Sequence, residues 1–286
     1  MKLKNKVAVI TGAGRGIGKA ISEGFAQEGA AVVLIARTKS ELEKTTERIQ
    51  TFGRRVLAIP ADVSDSNSVD DFFKIVLEEF GGIDILVNNA GRQFPIGPLV
   101  ENDTKDWIET IMVNLVGTVL CCKAVLPGMI ERRQGKIINL SGGGATAPRP
   151  NFSAYAASKA AVIRLTETIA DEVRPFNIQV NAIAPGAINT KMLDEVFAAG
   201  DAAGEVALSQ AKRQKQGGGD SLDMVVNLAV SLASDESGTL TGKLISAQHD
   251  PWREWAGKAE ELNATPLYTI RRLDPFTIKP LIKDLM

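Results

Sequence analysis

The sequence predicts an α/β fold: a doubly wound parallel seven-stranded sheet with helices on both faces, followed by a C-terminal extension. Three observations predict it. Short runs rich in Val and Ile recur along residues 1–248, and they are apolar almost throughout, as strands covered on both faces are. Longer segments between them carry apolar residues at helical spacing. A cluster of glycines joins the first run to the first of these segments.

The strand runs, in order, are KVAVI, AVVLIA, VLAIPA, IDILVN, GKIINLS, IQVNAIA and, from Gly242, GKLISA. The predicted helices cover 17–28, 40–52, 68–80, 104–132, 153–174 and 222–233. The last shows Leu222, Val225, Val226, Ala229 and Leu232 on one stripe. Repeated strand–helix alternation requires crossovers, and these are right-handed in parallel sheets. No break in composition divides residues 1–248, so one domain is expected there. Residues 187–220 hold no strand signal and end in KRQKQGGGD, which predicts a mobile loop with one or two short helices. Residues 249–286 follow the last strand with two of the three Trp, too short a stretch for a second domain. They are expected to pack on the main body or on a neighbouring subunit, burying Trp252 or Trp255.

The chain has 286 residues, 44% hydrophobic and 23% charged, in the range of globular proteins. Lys plus Arg is 33 against 34 for Asp plus Glu, a net charge of −1. That balance points to neither a nucleic acid nor a membrane surface as partner. The apolar runs read as too short and too interrupted to span a bilayer. The two cysteines, Cys121 and Cys122, are adjacent in an apolar stretch and suit a reducing compartment. The N-terminus enters a strand pattern at once, with no signal-peptide core. A cytoplasmic protein is the expectation.

VAVITGAGRGIGKAI places Gly12, Gly14, Gly16 and Gly18 at the strand-to-helix turn. Glycines let the backbone turn sharply and approach a ligand, and the helix N-terminus offers free N–H groups to a phosphate. The alternative is a tight turn with no ligand, which the position after the first strand disfavours. In SAYAASKAAVIRLTE, Tyr155 and Lys159 stand four residues apart on a predicted helix and therefore share a face. A phenol ionises near pH 10. A neighbouring ammonium favours the phenolate, as a general acid–base needs.

With Thr11 before the glycines, NNAG at 88–91, Asn114 in MVNLVGT, Ser141 in INLSGGG, YAASK at 155–159 and NAIAPGAINT at 181–190, residues 5–248 resemble the short-chain dehydrogenase/reductase family. The resemblance implies a Rossmann-like fold and an oxidoreductase that interconverts a carbonyl and a secondary alcohol. Tyr155 would exchange the proton with the substrate oxygen, Ser141 would hydrogen-bond that oxygen, and Lys159 would also hold the nicotinamide ribose. Asn114 would hold a water linking Lys159 to solvent. The cofactor would be held by Gly12, Gly14, Arg15, Gly16, Ile17 and Gly18, with Asp62 and Val63 at the adenine. Asn88, Asn89, Ala90 and Gly91 form the segment along it, and Pro185, Gly186, Ile188 and Thr190 belong to the same implied set, as do Tyr155 and Lys159. No metal site is expected.

Arg37 ends the second strand run where an acidic residue would select NAD(H). NADP(H) is therefore the expected cofactor, with NAD(H) possible and Arg15 a second contact for the 2′-phosphate. The loop 187–220 would cover the substrate, and its Lys191, Lys212, Arg213 and Lys215 suit either an anionic carrier or a solvated face. Arg149 and Asn151, between Ser141 and Tyr155, are polar candidates near the pocket. A 3-oxoacyl thioester and a sugar or polyol derivative both remain open as substrates. The glycines after Ser141 and the AQHDPWREW that replaces an Asp-Gly-Gly ending depart from the family pattern. His249, the one histidine, carries no catalytic expectation. A homodimer or homotetramer built on the long helices is expected. The same motifs admit two other functions: a catalytically idle dinucleotide-binding scaffold or redox sensor, and a sugar-nucleotide epimerase or dehydratase. The intact Ser141, Tyr155 and Lys159 disfavour the first, and the glycine spacing disfavours the second.

Overall fold

In the computed structural model, which describes residues 1–272 and Asp274, seven strands form one sheet in the order β3-β2-β1-β4-β5-β6-β7. They are β1 (Val7–Thr11), β2 (Ala31–Ala36), β3 (Val56–Pro60), β4 (Ile85–Asn88), β5 (Gly135–Leu140), β6 (Ile178–Ala184) and β7 (Leu244–Ser246). Every neighbouring pair is parallel. The helices are α1 (Gly16–Gln27), α2 (Lys39–Gln50), α3 (Ser66–Phe80), α4 (Thr104–Ile111), α5 (Gly117–Arg132), α6 (Ser153–Val173), α7 (Lys191–Ala199), α8 (Glu205–Gln216), α9 (Leu222–Ala233) and α10 (Ala259–Asn263).

Strand side chains alternate between the two faces, and each face has its own core. Ala8, Ile10, Val32, Leu34, Ile85, Val87, Ile138 and Ile183 point to one side, where Ile21 and Phe25 of α1, Leu42 and Ile49 of α2 and Leu228 of α9 cover them. Val9, Val33, Ile35, Leu86, Ile137 and Val180 point to the other, under Phe72 of α3, Cys121 and Met129 of α5 and Ile169 of α6. Each fully buried Val, Leu or Ile contributes about 1.5–3 kcal/mol. This double burial is why the strands read as unbroken apolar runs.

The run predicted as one helix over 104–132 is continuous but changes pitch: Met112–Val116 forms a π turn between α4 and α5. By length and composition Thr104–Arg132 is apolar enough to cross a membrane, with an 18-residue window of mean hydropathy 1.7. That corrects the expectation from the sequence. The physical reason is that the inward side of α5 supplies core residues, so its apolar content serves the sheet.

Residues 187–220 contain two short helices, in line with the sequence reading. They hold α7, a 3₁₀ turn at Gly200–Ala203 and α8. A neck pins the two ends of this lobe, because Ala187 donates to Asp220 Oδ2 and Asp220 donates back to the Ala187 carbonyl.

Trp252 of the extension is 9% exposed and joins the first core, its Nε1 donating to the Ala247 carbonyl at 3.1 Å. Trp255 is half-buried and packs against Tyr268, ring centroids 4.5 Å apart and tilted by 51°. The segment then passes along β7, where Leu244 N–H donates to the Tyr268 carbonyl at 2.7 Å. The rest of the extension expectation, at 273 and 275–286, lies outside the described residues.

Candidate active site

The strand order reverses between β1 and β4, and a crevice opens beyond the C-terminal ends of the strands at such a point. A cleft of about 820 Å³ lies there. Its walls include Gly12, Gly14, Arg15, Gly16 and Ile17 after β1, Arg37 after β2, Asp62 and Val63 after β3, and Asn89, Ala90 and Gly91 after β4. Thr190 closes it from the lobe.

Thr11 stitches the two central strands. Its Oγ1 accepts from Asn89 N–H and Ala90 N–H at 3.0 Å each, and Asn89 Nδ2 donates to the Thr11 and Gly12 carbonyls. At Gly12 and Gly16 the backbone is left-handed, at φ +64 and +54. A Cβ on Gly12 would press on Asn89 Nδ2 and Ala90 Cα at 2.8 and 2.9 Å, and one on Gly18 would land on the Gly12 carbonyl. The turn therefore lies open to the cleft with the free N–H end of α1 behind it, which fits a bound dinucleotide pyrophosphate. Gly18 is absent from the wall and instead lets α1 pack tightly on the turn.

Two residues differ from their sequence reading. Asn88 points away from the cleft, donating to Asn139 Oδ1 at 2.8 Å and Cys122 Sγ at 3.3 Å, because adjacent strand-end residues face opposite sides. Arg15, expected to reach a 2′-phosphate, is bonded to Glu41 Oε1 at 2.9 Å. Arg37 is exposed, 3.8 Å from Asp62. Glu41 was missed because it sits on α2, remote in sequence from the glycine turn. Arg92 was also missed. It lines the cleft and is held by Asp106 and Glu109, which outweigh burial and raise its pKa.

The second group of predicted residues lies apart from the open cleft, under the lobe. Ser141 follows β5 and is 4% exposed, and its Oγ has no hydrogen-bond partner. A Cβ on Gly142 would land on the Tyr155 hydroxyl, so this hydroxyl lies against the turn that begins at Ser141. Tyr155 is packed with Phe152 against Leu193 and Val196 of α7 and Ala211 of α8. Ile188 is also buried, and Pro185 accepts from Gln248 Nε2 beside Gly186, where the chain turns at φ +89 into the lobe.

Lys159 does share the Tyr155 face, with Nζ 5.8 Å from the ring centroid, but it donates to the Leu140 carbonyl at 2.7 Å. Burial lowers its pKa to about 8. The phenol does not follow the sequence expectation of a lowered pKa. Burial beneath the lobe raises it, and the charge that pulls it back down is Arg149. Asn114, in the π turn, clasps the Arg92 backbone: Nδ2 donates to the Arg92 carbonyl and Oδ1 accepts from its N–H, both at 2.9 Å. Nδ2 also donates to Ser158 Oγ. Asn114 Oδ1 and Lys159 Nζ both lie beneath Gly91, at 3.3 and 3.6 Å from where its Cβ would be.

Residues 6–201 match the family described as short chain dehydrogenase. The chain is 38% identical over 245 residues to a 3-oxoacyl-(acyl-carrier-protein) reductase of Thermotoga maritima, covering 86% of this chain and 97% of that protein. It is 37% identical over 250 residues to a (2S)-((R)-hydroxy(phenyl)methyl)succinyl-CoA dehydrogenase subunit of Thauera aromatica, covering 86% and 96%. Among solved structures, an NAD+-bound xylitol dehydrogenase superposes with a TM-score of 0.81 at 29% identity, covering 86% of this chain and 98% of that one. With its parallel sheet, crevice and sequence match, the chain belongs to the short-chain dehydrogenase/reductase family, NAD(P)-dependent enzymes that act on CH–OH groups.

Proposed function

We propose that the protein interconverts a carbonyl and a secondary alcohol with NADP(H) as its preferred cofactor and Tyr155 as general acid–base. The observation that carries this reading is the Ser141 hydroxyl: buried, without a protein partner, and at the start of the turn that the Tyr155 hydroxyl touches. A buried hydroxyl without a partner is costly, and a substrate oxygen would satisfy it.

In this reading Gly12, Gly14, Arg15, Gly16 and Ile17 hold the pyrophosphate, Asp62 and Val63 the adenine, and Asn89, Ala90 and Gly91 the ribose side. Gly18 supports the turn from behind. Pro185, Gly186, Ile188 and Thr190 border the nicotinamide end. Bound nicotinamide supplies the hydride in reduction and accepts it in oxidation. Ser141 Oγ donates to the substrate oxygen and orients it. Tyr155 gives that oxygen its proton in reduction and removes it in oxidation. Lys159, with a pKa of about 8, carries a proton that can replace the one the phenol gives up. Asn114 holds the Arg92 backbone and the Ser158 hydroxyl in place next to it.

Arg37 supports the NADP(H) preference, since the residue that follows β2 is an exposed guanidinium and not a carboxylate, with Asp62 no closer than 3.8 Å. Arg15 is held by Glu41 at 2.9 Å, whereas Arg37 pairs only loosely with Asp62 at 3.8 Å, which favours Arg37 as the main phosphate contact. The relatives' names leave the substrate open between a 3-oxoacyl thioester and a polyol. Exposed Ile108 and Val119 on α4 and α5 support assembly into a homodimer or homotetramer. The buried free thiols support a cytoplasmic location.

Tyr155→Phe tests the reading. Positioned acid–base groups contribute roughly 10²–10⁴-fold. We expect kcat to fall by at least about 10²-fold, with NADPH bound as tightly as by the parent and at least about tenfold more tightly than NADH. The gap is set by a charge-assisted bond of about 1.5–3 kcal/mol. Retained turnover would remove Tyr155 from the chemistry, and equal affinity for the two cofactors would remove Arg37 from the phosphate.

A further inference from the structure

A cation stands beside the reacting hydroxyls without a task in the mechanism. Arg149 lies in the segment between β5 and α6. Its guanidinium carbon is 3.8 Å from the Phe152 ring centroid and 5.5 Å from that of Tyr155. It also reaches the glycine turn after Ser141, since a Cβ on Gly143 would meet Arg149 Nη1 at 4.0 Å. Phe152 is fully buried, so the guanidinium lies on a closed apolar wall. Burial pulls its pKa below the ordinary guanidinium value.

The arginines of the cofactor cleft all face carboxylates: Arg15 has Glu41, Arg37 has Asp62, and Arg92 has Asp106 and Glu109. Among the described residues the Arg149 guanidinium has no ion pair and no hydrogen bond; its partners are the two rings. Arginine keeps its charge at any ordinary pH and presents five N–H donors. A partly desolvated charge without a counter-charge is costly. Rings offset part of that cost through their faces but leave the donors at the guanidinium edge unfilled.

We propose that Arg149 is a specificity-determining residue that binds a carboxylate on the substrate, so that the enzyme acts on a keto acid or hydroxy acid whose acidic group lies a few bonds from the reacting carbon. This rests on the reading of Ser141 and Tyr155 as the reacting site. A planar fork of unit charge matches a carboxylate in shape and in charge. A phosphate dianion would need a second cation, and Lys159, the other cation against the Tyr155 ring, is buried and bonded to the Leu140 carbonyl.

The test uses the full chain and matched pairs: 3-, 4- and 5-oxo acids against their methyl esters, which keep the ketone and lose the charge. The parent should prefer the best acid over its ester by at least about tenfold in kcat/KM. Arg149→Gln should lower kcat/KM for that acid by roughly 10- to 100-fold, chiefly through KM. The acid-over-ester preference should collapse with it, and Arg149→Lys should restore part. NADPH affinity should not move, which marks the variants as folded. An ester as good as its acid across the panel, or equal losses for both on Arg149→Gln, would overturn the proposal and leave Arg149 as packing for Phe152. Calorimetry of the same acids against Tyr155→Phe protein saturated with NADPH separates the two readings. If no ketone turns over, the reaction reading fails. Acid binding that vanishes when Arg149→Gln is added then still upholds the carboxylate site, and no acid binding overturns it.

Discussion

Ser141 serves stability and chemistry with opposite sign. Its Oγ has been taken out of water without a partner, at a cost of about 1–3 kcal/mol. Ser141→Ala removes that cost, so the variant should resist urea as well as the parent or better, by up to about 1–2 kcal/mol. The same change removes the donor to the substrate oxygen, and kcat/KM should drop roughly 10- to 100-fold. Urea denaturation and steady-state kinetics on one preparation check both signs. A destabilised variant would mean that the hydroxyl has a structural partner after all. At this scale the sequence was legible where motifs fix geometry. Tyr155 and Lys159 share a face because four residues nearly close a helical turn. It was illegible where a partner comes from another element. Neither Glu41 beside Arg15 nor the sidedness of Asn88 against Asn89 can be read from local spacing.

Elements decide where charge can live. Packing of α6 onto β5 buries Lys159 and aims it at the Leu140 carbonyl, and this burial pushes its pKa down to about 8 from the ordinary 10.5. Below pH 8 the folded and unfolded chains both hold the proton, and the folded state bears the full cost of the buried charge. Between about 8 and 10.5 the folded chain has released the proton while the unfolded chain keeps it, so stability rises with pH across that window. The gain attributable to this group is up to about 3 kcal/mol. Urea midpoints of the dinucleotide-free parent and of Lys159→Met, at pH 7 and at pH 10, isolate it: the parent should gain relative to the variant. Parallel behaviour would show that Lys159 keeps its proton when folded. Strands and most helices were legible because both sheet faces demand apolar runs of the right period. The π turn at Met112–Val116 was not, since one extra residue in a helix leaves its composition unchanged. The docking of 187–220 over Tyr155 was hidden, although its short helices were not. It comes from Leu193 and Val196 meeting Phe152 and Tyr155 and from the Ala187–Asp220 neck, all contacts at long sequence distance.

For the whole molecule the open question is the sheet edge. β7 ends the sheet, and an unpaired edge invites pairing with another chain. The extension covers it here. Lys243, almost fully buried, donates Nζ to the Thr265 and Leu267 carbonyls at 2.8 and 3.0 Å, and Leu244 N–H donates to the Tyr268 carbonyl. Tyr268 packs against Trp255, and Glu167 on α6 receives Ile270 N–H and Arg271. These contacts act together along one strap, and Trp252 anchors its start in the first core. A chain ending at Ala264 keeps that anchor and loses the strap. It frees the Leu244 N–H and strips the Lys243 ammonium of both carbonyls. We expect it to lose about 1–3 kcal/mol, the cost of a few hydrogen bonds of ordinary worth. We also expect new association through the bared edge, read as a higher mass by light scattering after size exclusion. Amide exchange at Leu244 should quicken in the truncated chain even where its mass is unchanged, because the partner carbonyl is gone. Parent-like stability, mass and Leu244 exchange together would show that the strap rests on β7 without protecting it.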